Sequence, residues 1–208
     1  MAVPENVTST LEGVANLSLG KLGQAKRITD LTADTHPYAK EIRLFIYQVI
    51  REVQTEFRWG ELTRSVTLEA PAEEVDGIYR YALPEDYLRP ASNREQSYRL
   101  EDGFLWTPVE SNFQLKYIRY SVNPEEWSPL LLKCIYFRLA MEICMPITED
   151  DKRYDKLNSE YETTVFPRAQ RIASFDNENP RSRRARGTYS RTRGGSIRSA
   201  YPYFYRDI

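Results

Sequence analysis

A single histidine, His36, bounds the nucleophilic chemistry open to this 208-residue chain, because a Ser-His-Asp or Cys-His arrangement could use no other. Pro37 follows it, and proline is tolerated in the first turn of a helix, so His36 reads as a residue at a helix start and not as a base. Glu149, Asp150 and Asp151 suggest the metal ligands of a nuclease, but acids in a first helical turn are favoured by the helix dipole, which accounts for them without a metal. Gly20-Lys21-Leu22-Gly23 is no phosphate loop, since the glycine spacing and the Ser or Thr after Lys are missing. Glu85 and Asp86 beside Arg89 read as a turn and an ion pair. Cys134 and Cys144 lie in an apolar segment with no Cys or His at ligand spacing and are expected as buried thiols. These readings predict no enzyme, no cofactor and no metal.

The residues that remain are built for binding. Asp176 to Ile208 carries eight arginines and no lysine: Arg181, Arg183, Arg184, Arg186, Arg191, Arg193, Arg198 and Arg206. Tyr189 lies among them, and Tyr201, Tyr203, Phe204 and Tyr205 close the run. A stretch so poor in aliphatic side chains cannot build its own core. Ordering it costs about 1–2 kcal/mol per residue, so a fixed conformation has to come from another chain or a neighbouring copy. Guanidinium groups pair bidentately with carboxylates or phosphates and stack on rings, and tyrosines are typical interface anchors. The segment is expected to be a partner-binding arm. It holds eight basic and three acidic residues, net +5, which leaves 21 basic and 27 acidic residues in the rest of the chain, net −6. The near-neutral total hides a basic arm on an acidic body.

Four helices are expected to form that body. Val7, Leu11, Val14 and Ala15 follow helical spacing over residues 7–22, behind Thr8 and Ser9, with Gly20 and Gly23 able to end the helix. Tyr38, Ile42, Phe45, Ile46, Val49, Ile50, Val53 and Phe57 make a 3.6-residue stripe behind Pro37 and ahead of Gly60. Ser128-Pro129 opens an apolar helix to Met145 whose Lys133, Arg138 and Glu142 rule out a membrane span, and it is expected at the centre. Thr148 is expected to cap a fourth helix, with Tyr154, Leu157, Tyr161 and Val165 as its stripe and Pro167 breaking or kinking it. Between them the period drops to two at Leu62, Val66 and Leu68, at Tyr79, Tyr81 and Leu83, and at Phe113, Leu115 and Tyr117. Asp76-Gly77 and Glu101-Asp102-Gly103 mark turns, which predicts one antiparallel sheet of four or five strands. The fold class is therefore α+β, with residues 1–60 and 123–175 as a helical bundle, 61–122 as an inserted sheet and 176–208 as an extended arm. The opening residues Met1 to Asn6 have neither a basic nor an apolar leader region, so no secretory signal is expected.

Several segments, in order, resemble the head-to-tail adaptor, or tail tubular protein A, family of short-tailed bacteriophages. They are Val14-Ala15-Asn16-Leu17-Ser18-Leu19-Gly20-Lys21-Leu22-Gly23-Gln24, the helix ending Glu56-Phe57-Arg58-Trp59, Tyr79-Arg80-Tyr81-Ala82-Leu83-Pro84-Glu85-Asp86-Tyr87-Leu88-Arg89, Gly103-Phe104-Leu105-Trp106-Thr107, and Leu130 to Ile147. The resemblance spans most of residues 10–150. It implies a homo-oligomeric ring, usually of twelve copies, held beneath the portal protein at the capsid vertex, with the tail nozzle protein below and a central channel for DNA. It further implies a virion protein assembled in the host cytoplasm, with no membrane and no catalysis. In such adaptors the bundle and a C-terminal extension face the portal, and the inserted sheet, here Glu101, Asp102 and Gly103, faces the tail.

The rival reading is nucleic-acid binding by an RGG-like tail, from Arg193-Gly194-Gly195 and the arginines of Arg181 to Arg186, with sheet tyrosines stacking bases. A body of net −6 weighs against it, and Tyr79, Tyr81 and Tyr117 are more often sheet core than stacking platform.

Overall fold

Thr10 accepts a hydrogen bond from the Gly13 N–H at 3.1 Å and so caps α1, Leu11–Lys21. In this computed structural model, which describes residues 9–69, 71–91 and 97–177, the helix therefore starts at Leu11, four residues after the Val7 expected to lead it. Gly20 stays inside α1. The end comes at Gly23, whose φ of 68° lets its N–H reach the Gly20 carbonyl at 3.1 Å while Gln24 N–H reaches Leu19 at 3.0 Å. His36 caps α2, Pro37–Glu56, accepting the Tyr38 N–H at Nδ1 over 3.2 Å, as its place before Pro37 suggests.

α3, Pro129–Glu142, is buried on nearly every face, through Leu131, Cys134, Ile135, Phe137, Leu139 and Ala140 among others. An all-round apolar helix has to be surrounded, and α3 is packed by all the other helices. It stops short of Met145. A short α4, Cys144–Thr148, follows and ends in left-handed Glu149, φ 51°. That turn leaves Asp150 extended, and Asp150, not Thr148, accepts the Arg153 N–H at 3.1 Å to cap α5, Asp151–Glu160. The Thr148 hydroxyl instead donates to the Cys144 carbonyl at 2.7 Å.

Pro167 does not break the helix. A π turn, Tyr161–Val165, precedes it, with the Phe166 N–H donating to the Tyr161 carbonyl five residues back, and α6 runs on from Phe166–Asn177. The wider turn makes room for a residue that lacks an N–H and crowds the preceding turn. α6 therefore crosses the boundary drawn at residue 176. Tyr154, expected on the buried stripe, is exposed, while Leu157, Tyr161 and Val165 are buried.

Between α2 and α3 the described residues form seven strands in two antiparallel sheets, not one. β1 (Thr63–Leu68), β7 (Phe113–Arg119) and β4 (Tyr87–Pro90) form a sheet in the order β1-β7-β4. β2 (Glu73–Val75), β3 (Ile78–Ala82), β6 (Phe104–Thr107) and β5 (Arg99–Glu101) form another in the order β2-β3-β6-β5. Alternation along β7 serves both halves of the molecule. Phe113, Leu115 and Tyr117 join Tyr81 and Leu105 in a small core, while Ile118 joins the helical core with Trp59 and Leu62. Residues through Asn177 make one compact unit, α+β in class. The arm residues Arg181, Arg183, Arg184, Arg186, Tyr189, Arg191, Arg193, Arg198, Tyr201, Tyr203, Phe204 and Tyr205 lie outside the described residues.

Candidate partner-docking face

Two Asp-Gly pairs set the geometry of the four-stranded sheet. Asp76 and Gly77 have φ of 52° and 74°, and Asp102 and Gly103 have 52° and 77°, the double left-handed conformation of a type I′ turn. A two-residue loop fixes the register on either side of it. Val75 pairs with Ile78, which puts Glu73 opposite Arg80, and Glu101 pairs with Phe104, which puts Arg99 opposite Trp106. β3 and β6 then pair Arg80 with Trp106. One row thus crosses all four strands: Glu73, Arg80, Trp106, Arg99.

The row is bound along its length. Arg80 Nη1 lies 3.0 Å from Glu73 Oε2, and its guanidinium carbon sits 4.3 Å from the centre of the Phe104 ring and 5.8 Å from that of Trp106. From the other side the Arg99 guanidinium lies 5.4 Å from the Trp106 ring, and Arg99 Nε is 3.3 Å from Glu101 Oε2. Trp106 is therefore flanked by two cations, each steadied by a carboxylate. Trp106 Nε1 is shielded and has no hydrogen-bond partner among the described residues. Arg and Trp are the types over-represented where partners bind tightly, and here cross-strand contacts hold them in place before any partner arrives.

The opposite side of the sheet is core. Tyr81 is buried, with its hydroxyl donating to the carbonyls of Val109 at 3.0 Å and Glu110 at 2.7 Å. Tyr117 is buried as well and donates to Asp86 Oδ1 at 2.8 Å, and loss of hydration followed by that bond pushes its hydroxyl up to about 12. Asp86 is thus engaged by a tyrosine, and among the described residues no ion pair joins Glu85 or Asp86 to Arg89, contrary to the expectation for that trio. Burial also pushes the Tyr87 hydroxyl up to about 12.

Glu101, Asp102 and Gly103, expected on the tail side, fall at one end of this face. Glu101 belongs to it through Arg99, and Asp102-Gly103 is the adjoining turn. Arg80, Arg99, Phe104 and Trp106 were missed as a site. Half of the row was available from the two Asp-Gly pairs, but the pairing of β3 with β6 links distant segments and leaves no local signal.

The other chemical candidates resolve into structure. Gly23 ends α1, and Arg153 donates to the Leu22 carbonyl beside it. Cys134 and Cys144 are buried free thiols, and burial pushes Cys134 up to about 12. Among the described residues no three His, Cys, Asp or Glu side chains gather as a metal site, and no helix is long and apolar enough to cross a membrane. No family model matches the chain, and no curated protein matches it.

Proposed function

We propose that this chain is a non-enzymatic virion connector, a head-to-tail adaptor whose copies form a ring between portal and tail nozzle and leave a channel for DNA. In this reading the helices act as a four-helix body packed side by side, the β2-β3-β6-β5 face meets the tail, and residues 178–208 form the arm that locks the body to the portal or to the next copy. The observation that carries it is one unit bearing a helical core and a separate two-sheet core with a pre-set Arg-Trp-Arg face, which suits a protein that joins two different partners. The segments that resemble the adaptor family supply buried and turn positions of both cores: Val14, Leu19, Trp59, Tyr81, Leu105 and Leu131.

The test mixes the full chain, and a chain ending at Asn177, with portal complexes at low and moderate salt, with and without duplex DNA, and follows complex size by sedimentation. A ring-sized species from the full chain that persists without DNA, and is lost on truncation, is the expected result. Truncated protein that assembles equally well removes the arm's role. Binding to DNA alone, weakening steeply with salt, replaces the adaptor with a nucleic-acid-binding protein.

A further inference from the structure

Leu44 and Tyr47 are the most exposed large apolar side chains among the described residues, at 68% and 51%. They lie on the face of α2 that points away from the buried Ile42, Ile46, Val49 and Val53. Lys40 and Arg51, both exposed, extend the same stripe, and the spacings of four, three and four residues keep all four on one helix face. The outer face of α5 has the opposite character. Asp151 and Asp155 are exposed there, turned away from buried Leu157, Glu162 is exposed in the π turn that follows, and Tyr154, one turn before Leu157, borders this face. Among the described residues no ion pair engages Lys40, Arg51, Asp151, Asp155 or Glu162. The borders of the stripes are complementary too: Glu41 and Glu52 flank the α2 stripe, and Lys152 and Lys156 flank that of α5.

We propose that α2 of one copy docks on α5 of the next, Leu44 and Tyr47 packing beside Tyr154 while Lys40 and Arg51 face the three carboxylates. Each stripe set against its own twin would oppose like charges, so charge selects the α2-to-α5 pairing over either symmetric dimer. Because the stripes are different surfaces of one chain, the contact is head-to-tail and repeats from copy to copy. It deepens the adaptor reading by naming the lateral surface of the ring, and rests on that reading for closure of the ring but not for association.

Sedimentation of the full chain at millimolar protein and low salt tests it, with Lys40→Glu/Arg51→Glu and Asp151→Lys/Asp155→Lys as partners. All four positions are exposed, and circular dichroism confirms that both variants fold. The wild type should associate, each variant alone should associate roughly tenfold more weakly, and an equal mixture of the two should recover wild-type association because opposite charges meet again. A wild type that stays monomeric, variants that associate as it does, or a mixture no better than either alone overturns the contact. Any of those results leaves portal binding by the intact chain standing, whereas loss of portal binding leaves the helix contact standing.

Discussion

Gln54 on α2 and Ser121 just past β7 grip each other twice: Gln54 Nε2 donates to the Ser121 carbonyl at 2.7 Å, and the Ser121 N–H donates to Gln54 Oε1 at 3.1 Å. Both residues are buried, and the pair joins the long helix to the strand that serves both cores. One side chain amide thereby satisfies both backbone groups at the point where the sheet returns to the helices. The Ser121 hydroxyl goes on to donate to Glu126 Oε2 at 2.5 Å, and Arg119 Nη2 approaches the same oxygen at 2.7 Å.

Gln54→Leu keeps the volume but strands both backbone groups of Ser121. The expected loss is about 2–3 kcal/mol, read as a lower urea midpoint with an unchanged slope. A loss under about 0.5 kcal/mol would mean the pair contributes little beyond what water supplies in the unfolded chain.

Trp106→Ala and Arg80→Ala should separate folding from attachment. Both sit on the outer face of the sheet, so thermal midpoints should move little. Under the proposed function, affinity for the tail-side partner should fall about 30-fold, the effect of losing an interface anchor worth about 2 kcal/mol. Titration calorimetry with the partner checks it, and unchanged affinity would place the contact elsewhere.

Two glutamates should respond to acid in opposite directions. The Ser121 hydroxyl, then Arg119, hold the Glu126 carboxyl below its usual range. Its contribution is complete above the ordinary glutamate value and is lost as pH falls through the lowered one, so Glu126→Gln should be less stable than wild type near neutrality and equal to it in acid. Lost hydration pushes Glu56 up, despite the Tyr161 hydroxyl donating to it at 3.2 Å. Ionised Glu56 therefore costs stability at neutral pH, a cost that vanishes as pH falls through the raised value. Glu56→Gln should gain at neutral pH and match wild type in acid, and denaturation midpoints across that range decide both.

Cys134 should ignore thiolate reagents in the native protein near neutral pH, because it is buried and its proton leaves only at about 12. Labelling of Cys134, followed by peptide mapping, should then track unfolding, with a rate that rises with urea as global stability falls. Rapid labelling without denaturant would show a local opening of α3.

The helices were legible wherever one residue type carries one geometric meaning. Pro37 and Pro129 mark starts, the stripe from Ile42 to Val53 marks a buried face, and each Asp-Gly pair marks a two-residue turn. What stayed hidden depends on distant partners. Nothing near Tyr79 says that β3 pairs with β6 and not with β7, so two sheets read as one. Between Ile147 and Asp151 several polar residues compete to cap a helix, and the left-handed turn at Glu149 decides for Asp150. Pro167 announces a missing N–H, but not that the preceding turn will widen to accept it.

That widening is a matter of phase. Leu157, Tyr161, Val165, Ala169 and Ala173 are all buried at strict four-residue intervals. In a regular α-helix such a series gains about 40° at every step and would wind off the core before reaching Ala173. The π turn falls short of a full circle over the same interval and gives part of that lead back. Chain length in this stretch is therefore counted as closely as side-chain type. Inserting a single residue between Tyr161 and Val165 would rotate everything after it, and Ala169 and Ala173, small enough to lie close against α3, would give their places to the charged Arg168 and the bulky Ile172.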